Sequence, residues 1–129
     1  IYFYSTHVLF HHKLLFNYIH RVHHLSKKVS PWASFSFHPI EAFFQALFLP
    51  LVVLFVPLHP LTLIAYMLFM TLTAISNHLG VELIKNRFIL KYFISGEHHS
   101  FHHTHYKYNF GLYYRFMDQI FKTEKKERI

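Results

Sequence analysis

Cysteine is absent from this sequence, and charged residues are scarce. Without cysteine the chain can form neither disulfides nor thiolate metal sites. Charged residues make up 15% of the chain, against about 25% in ordinary soluble domains. The sequence also lacks a GxGxxG motif and any haem or flavin motif. A redox activity would therefore need electrons from a separate protein.

Histidine and apolar residues are abundant instead. The chain has 14 histidines, more than its 13 lysines and arginines together, and 53% of its residues are hydrophobic. The net charge of +7 could indicate nucleic-acid binding, but the basic residues are scattered among long apolar runs. A cytoplasmic membrane face explains this distribution better, so we expect no nucleic-acid partner.

The most apolar part of the chain predicts a helical hairpin. It carries one acidic residue, Glu41, no lysine and no arginine, and is interrupted by the sequence Pro57-Leu-His-Pro60. Two helices over residues 40–56 and 61–77 would each reach about 25 Å, slightly less than the ~30 Å hydrocarbon core. They either span the membrane tightly or form a re-entrant pair. A buried helical pair in a soluble protein is the alternative, but so short a chain has too little polar surface to cover it.

The remaining segments complete an all-α, multi-helix membrane protein. Residues 1–25 contain no proline or glycine and are predicted to be helical, whereas residues 26–39 are predicted to be a loop. Pro50 should kink the first hairpin helix. We expect residues 122–129 to be a solvated tail. Because the sequence begins at Ile1, inside an apolar segment, we expect residues 1–129 to be one domain that lacks N-terminal membrane helices.

Basic residues flank the hairpin and predict its orientation. Lys27 and Lys28 precede it, Lys85, Arg87 and Lys91 follow it, and the turn between its helices has no lysine or arginine. The positive-inside rule then places both ends of the hairpin on the cytoplasmic side.

Histidines recur in clusters with helical spacing. Residues three and four apart share a helix face, so each cluster can direct several imidazoles towards one point. Imidazole suits zinc, copper, iron and nickel alike, and eight or nine ligands suit two ions rather than one. The clusters are His7 and His11; His20, His23 and His24; and His99, His102 and His103, with a single His78 before the third.

The spacing between the first two clusters requires a break. At about 100° per residue, one straight helix would place His11 and His20 on opposite faces. If both serve one site, the helix must bend between His12 and His20, although no proline or glycine marks the position. We expect His12, His59 and His105 to be structural, as caps or interfacial side chains.

The order of these motifs resembles the fatty acid hydroxylase/sterol desaturase superfamily, and is closest to bacterial sterol desaturase family proteins. The matching order is His-x3-His, His-x-x-His-His, an apolar hairpin, a single histidine, and a second His-x-x-His-His. The resemblance covers residues 11–24, 32–42, 57–60, 77–82 and 98–123.

This resemblance implies a membrane-bound diiron catalytic domain that uses dioxygen to hydroxylate or desaturate a lipid. The ions would be iron, with zinc possible in isolated protein, and a separate redox protein would supply electrons. The implied location is a bacterial inner membrane rather than the endoplasmic reticulum, with the site facing the cytoplasm. The implied metal ligands are His7, His11, His20, His23, His24, His78, His99, His102 and His103.

Some positions depart from the superfamily pattern. Ala74 stands where some relatives carry a further histidine, so a tenth ligand is either missing or supplied elsewhere, with His38 and His98 as candidates. Val8 replaces a frequent arginine, and the usual Asn-Tyr-Gly is Asn109-Phe110-Gly111. Asp118 is expected to orient a ligand histidine.

The hairpin also suggests how a substrate is selected. We expect Phe43, Phe44, Phe48 and Phe55 to line the path of a lipid that enters sideways from the membrane, with no carboxylate deep in the hairpin. Asn77, Tyr106 and Asn109 would supply the few polar contacts. The alternatives are a membrane protein that handles zinc or copper and a non-catalytic relative.

Overall fold

The computed structural model describes residues 1–125, which are helical apart from loops and one isolated antiparallel bridge between Phe93 and Tyr114. The predicted all-α class is confirmed for this part of the chain. The helices are α1 (Tyr2–Phe10), α2 (Lys13–Leu15), a π-helical turn (Phe16–His20), α3 (Arg21–His24), a 3₁₀ turn (Pro31–Phe35), α4 (Pro39–Ala46), α5 (Phe48–Phe55), α6 (Pro60–Asn77), α7 (Arg87–Tyr92), α8 (Gly96–Thr104) and α9 (Phe116–Ile120).

The first segment is helical but not continuous. His12 adopts an extended conformation (φ −62°, ψ 136°), which ends α1, and its side chain accepts a hydrogen bond from the backbone N–H of Leu14 to begin α2. The π-helical turn Phe16–His20 follows. The predicted break between His12 and His20 is therefore confirmed, and it is made by a histidine that caps the next helix.

The hairpin agrees with the predicted bounds. His59 caps α6 by accepting from the N–H of Leu61, and Pro60 occupies the first helical position, where a missing N–H costs nothing. The first hairpin helix is interrupted at Leu47, three residues before Pro50, which divides it into α4 and α5. Pro50 explains it, because proline has no N–H for the carbonyl of Ala46 and its ring crowds that carbonyl.

Two glycines bring the end of α6 close to the start of α8. Gly80 has φ +70°, a conformation that glycine adopts without steric cost, and turns the chain after α6. A Cβ at Gly96 would lie 2.6 Å from the carbonyl oxygen of Val81. The close approach of these backbones places His78 beside α8, which packs against α6.

The start of the predicted solvated tail is docked instead. Asn109 has φ 59°, and its side chain accepts from the N–H of Lys125 at 2.7 Å and donates to the Lys125 carbonyl at 2.9 Å. Its backbone N–H donates to the Thr123 carbonyl. Lys122 and Lys125 are exposed, as expected of a solvated tail, but Asn109 fixes the backbone of this segment up to Lys125. Residues 126–129 lie outside the described part.

Apolar surface is largely on the outside. Helix α6 has 18 residues with a mean hydropathy of 1.4, is long and apolar enough to cross a membrane, and has only 6% of its residues buried. No residue of α5 is buried. Histidines and other polar side chains dominate the interior of the described residues.

Candidate metal centre

Five histidines form the first nitrogen group. The Nε2 atoms of His7 and His20 are 3.0 Å apart, those of His11 and His102 3.1 Å, and those of His24 and His11 3.2 Å. The five ligand atoms all lie within 4.8 Å of one another. The bend at His12 permits this, because it brings the two ends of the N-terminal segment back to one point.

Four histidines form the second group. The Nε2 atom of His78 is 3.4 Å from that of His23 and 3.1 Å from that of His99, which in turn is 3.3 Å from that of His103. These four side chains are all buried. The groups adjoin, since the rings of His24 and His103 are 4.6 Å apart.

Each His-x-x-His-His motif contributes to both groups. In the second cluster His20 and His24 join the five-nitrogen group, and the middle residue, His23, joins the four-nitrogen group. The third cluster does the reverse, because His99 and His103 join the four-nitrogen group and His102 the other. Our expectation that each triplet converges on a single point is therefore wrong. Around a helix, residue i+4 lies about 40° to one side of residue i, and residue i+3 lies about 60° to the other side. The middle histidine of each motif therefore points away from the other two.

The outward ring nitrogens of four of these histidines are hydrogen-bonded. His20 Nδ1 donates to Glu41 Oε1 at 2.7 Å. The other three donate to backbone carbonyls at the same distance: His7 to Phe110, His78 to Ala74 and His102 to Tyr108. A proton held at Nδ1 leaves a lone pair at Nε2, directed into the group, which is the tautomer that a metal ligand needs.

The two groups fit metal ions. Lone pairs at neighbouring Nε2 atoms cannot bond to one another, so buried groups of this kind need a shared electron-pair acceptor. Nitrogens about 2.1 Å from a common ion lie roughly 2.9–3.4 Å apart in octahedral or tetrahedral coordination, close to the observed separations. An all-imidazole set without thiolate suits iron, zinc or copper.

Burial also keeps these imidazoles neutral. It lowers the pKa of His7 to about 4, that of His103 to about 3 and that of His11 to about 2. Burial and the neighbouring imidazoles lower the pKa of His20 and His99 further. At neutral pH the nitrogens therefore carry lone pairs rather than protons.

The other histidines within the described residues lie outside both groups. His12, His38 and His59 cap helices, and His105 stacks on Phe101 with ring centroids 4.0 Å apart. His98 is buried beside Asp118, with His98 Nε2 3.7 Å from a carboxylate oxygen. Neither His38 nor His98 therefore stands where a tenth ligand would be, and that expectation is wrong in this structure.

Asp118 does not touch any histidine of the two groups. It accepts hydrogen bonds from the N–H of Phe110 and of Gly111, each at 2.8 Å, and from the Thr123 hydroxyl at 2.7 Å. Burial acts to raise the pKa of Asp118, but the His98 ring and these donors outweigh it and lower the pKa. Asp118 thus bears on a predicted ligand only through the backbone, since it binds the N–H of Phe110, whose carbonyl binds His7.

A cavity of about 360 Å³ lies against both groups. The predicted Phe43, Phe44, Phe48 and Phe55 do not line it, and Phe43 is 61% exposed. Phe43 and Phe55 are exposed, whereas Phe44 packs on Phe10 and Phe48 on Tyr2, because α4 and α5 turn another side to the cavity. The lining includes Phe35, Phe37, Ala46, Met67, Met70 and Tyr113 among apolar side chains, and Ser34, Glu41, Gln45 and Thr71 among polar ones.

The predicted polar contacts also lie elsewhere. Asn77 donates to the Leu112 carbonyl, Asn109 binds the docked tail, and Tyr106 packs on the ring of His24. Glu41, the acidic residue at the start of the hairpin, instead lines the cavity and binds His20, a role that we did not predict. The signal was present in the sequence, because Glu41 is the first acidic residue of the chain and Glu82 the next, and an acid in an apolar segment must be paired.

Comparison with known proteins now places the chain. Residues 1–123 match the fatty acid hydroxylase family model, and the chain belongs to this family, as the motif order predicts. It is 34% identical to the lathosterol oxidase of Homo sapiens, with 93% of this chain and 40% of that protein covered. It is 32% identical to a Delta(7)-sterol 5(6)-desaturase of Schizosaccharomyces pombe, with 91% and 38% covered. The chain thus spans about two fifths of these relatives' length; no solved structure matches it.

Proposed function

We propose that this chain is the catalytic domain of a membrane-bound, non-haem diiron oxidoreductase that hydroxylates or desaturates a lipid. The observation that carries the proposal is the pair of adjoining imidazole groups at the end of an apolar cavity. The nine histidines of the two groups would hold the ions. When bound, iron would supply the activation of dioxygen and the oxidation of an unactivated C–H bond.

The protein's own residues prepare the ligands. Hydrogen bonds from Nδ1 to Glu41 and to the Phe110 carbonyl fix the ring orientations of His20 and His7. Low pKa values keep the imidazoles free of protons, so metal binding need not displace them at neutral pH. Iron is the proposed metal, and zinc can occupy the same nitrogens in isolated protein.

A lipid substrate is supported by the cavity and by the relatives. The cavity is lined mainly by apolar side chains of α4, α5 and α6, whose outer faces are exposed and apolar. The relatives described above are named as sterol oxidases or desaturases. A lipid reaching this cavity from the bilayer would remain in apolar surroundings, and electrons would come from a separate redox protein.

The proposed topology places the metal centre at the cytoplasmic face of a multi-pass protein. Lys27 and Lys85 lie on either side of the hairpin at its metal-centre end, and Lys122 follows α9. Single cysteines introduced at these three positions into the cysteine-free chain should be shielded from an impermeant thiol reagent in intact cells. Labelling of any of these cysteines from outside the cells would contradict the proposed orientation.

The activity is tested by expressing the full-length protein in a lipid-producing host. Mass spectrometry of the host lipids should show the gain of one oxygen atom or the loss of two hydrogen atoms, and a His102→Ala variant should not. Two bound metal ions without any change in the lipids would instead favour the metal-handling alternative or a non-catalytic relative.

A further inference from the structure

Glu41 has one oxygen atom that the metal centre does not use. Its side chain is 1% exposed. Oε1 accepts from His20 Nδ1 at 2.7 Å, but Oε2 is buried and has no hydrogen-bond partner among the described residues. A carboxylate oxygen buried without a partner is costly, so its presence calls for a donor that binds there.

The surroundings of Glu41 indicate what kind of donor fits. Glu41 lines the 360 Å³ cavity, whose wall is mostly apolar. Of the other polar lining residues, Ser34 already donates its hydroxyl to the Ala74 carbonyl, and Gln45 lies one helical turn further along α4. The cavity therefore suits a mainly apolar molecule that carries a hydrogen-bond donor, and Gln45 and Thr71 are the further polar groups of its wall.

We propose that Glu41 Oε2 accepts a hydrogen bond from the hydroxyl group of a lipid alcohol, and that this contact selects the substrate. The inference rests on the proposed function and narrows it to lipids that carry a free hydroxyl. A carboxylate oxygen can only accept, and a hydroxyl is the donor that sterols and long-chain alcohols share. The apolar body of a lipid gains little by moving from bilayer to cavity, so this polar contact carries the discrimination.

The same geometry restricts where the lipid is oxidised. Glu41 is separated from the five-nitrogen group by the single imidazole ring of His20. A hydroxyl bound at Oε2 therefore holds its own end of the lipid beside the metal centre. The oxidised carbon lies close to the hydroxyl-bearing carbon, and not at the remote end of the hydrocarbon.

The test compares matched lipids in equilibrium binding to the full-length, metal-loaded protein without reductant. The lipid pairs are a 3-hydroxysterol with its methyl ether and a long-chain alcohol with its methyl ether, since an ether cannot donate. The wild type should bind the alcohol of at least one pair about tenfold more tightly, as expected for loss of one buried hydrogen bond. The responding pair distinguishes a sterol site from a fatty-alcohol site.

Two variants assign the preference to Glu41. Glu41→Gln keeps an oxygen for His20 but replaces the free acceptor with an amide NH₂. Metal content should persist, while the ratio of alcohol to ether affinity should fall to near one. The matched control is Gln45→Leu, one turn away in the same cavity, which should retain the preference.

Equal binding of alcohol and ether by the wild type would overturn the inference and leave the proposed lipid oxidation standing. A preference that survives in Glu41→Gln, or that disappears in Gln45→Leu, would overturn it as well. If the wild type bound none of these lipids, the inference would fail, while the proposed function would fail only if the lipids of the expression host also stayed unchanged. The ratio of alcohol to ether affinity in the wild type is measured without any variant. It can therefore refute the inference even if the Glu41→Gln protein does not fold.

Discussion

Polar side chains are buried in the metal centre, whereas apolar side chains are exposed on the hairpin. In the metal centre, His99, His102 and His103 are at most 1% exposed, whereas in α6 Leu61 and Leu68 are more than half exposed. A soluble domain shows the reverse arrangement. The interior is stabilised by hydrogen bonds and by the metal ions that we propose the imidazoles bind. The hairpin is stabilised by apolar surroundings. The two regions should therefore respond to different perturbations.

The largest effect is expected from removing a ligand of the four-nitrogen group. His23→Ala leaves three nitrogens there, so bound metal should fall from two ions to about one and activity by roughly a hundredfold or more. Elemental analysis of purified protein and lipid turnover measure this. His59→Ala and His105→Ala are the controls and should keep two ions. A His23→Ala protein with both ions would refute the assignment.

The second-largest effect is expected from Asp118→Ala, because this change leaves two buried N–H donors without an acceptor. The Phe110 and Gly111 amides lose their acceptor, and we expect about 2–4 kcal/mol less stability from an unpaired donor pair. The thermal midpoint in detergent should drop, and metal content should decrease as the Phe110 carbonyl releases His7. Gln119→Ala, its exposed neighbour, should change neither quantity; equal effects would show that Asp118 has no special role.

Acidification should affect the metal centre and spare the hairpin. The histidine pKa values fall from 6.5 to about 4 for His7 and about 3 for His103. Below pH 6.5 the unfolded chain binds more protons than the folded one, so stability is lost as pH falls, by up to about 1.4 kcal/mol per pH unit for each such histidine. The thermal midpoint should be flat from pH 8 to 7 and drop from pH 6 to 5. An unchanged midpoint at pH 5 would contradict the burial of neutral imidazoles.

The smallest effect is expected from changes in the cavity wall, which should alter product selection rather than metal content. Met70→Ala enlarges the lining without touching a ligand, so it should alter which lipid or which carbon is oxidised while both ions remain bound. Leu68→Ala and Phe43→Ala, which do not line the cavity, should leave the product distribution and, within about 0.5 kcal/mol, the stability unchanged. A shift with Phe43→Ala alone would favour the lipid path along the outer face that the sequence suggests.

The failures of prediction have a common cause. The hairpin bounds, the interruption before Pro50 and the bend near His12 follow from proline chemistry and helical periodicity, which are local. The positions of Phe43 and of Asp118 depend on how helices rotate against each other, which periodicity does not specify. Glu41 was missed for the same reason, since its partner His20 comes from a different helix.

The sequence by itself determined the donor chemistry and the broad architecture of this protein. Fourteen histidines without cysteine exclude thiolate ligands and favour imidazole, and an apolar stretch with one internal turn and no lysine or arginine permits little besides a helical pair. Only the tertiary structure decided how nine imidazoles divide into groups of five and four. It also decided which acceptor holds each outward nitrogen: the Phe110 carbonyl that binds His7 is 103 positions away along the chain. Helical spacing relates residues within one turn, whereas a metal centre needs atoms from several helices to converge, and that convergence is a property of the packed chain.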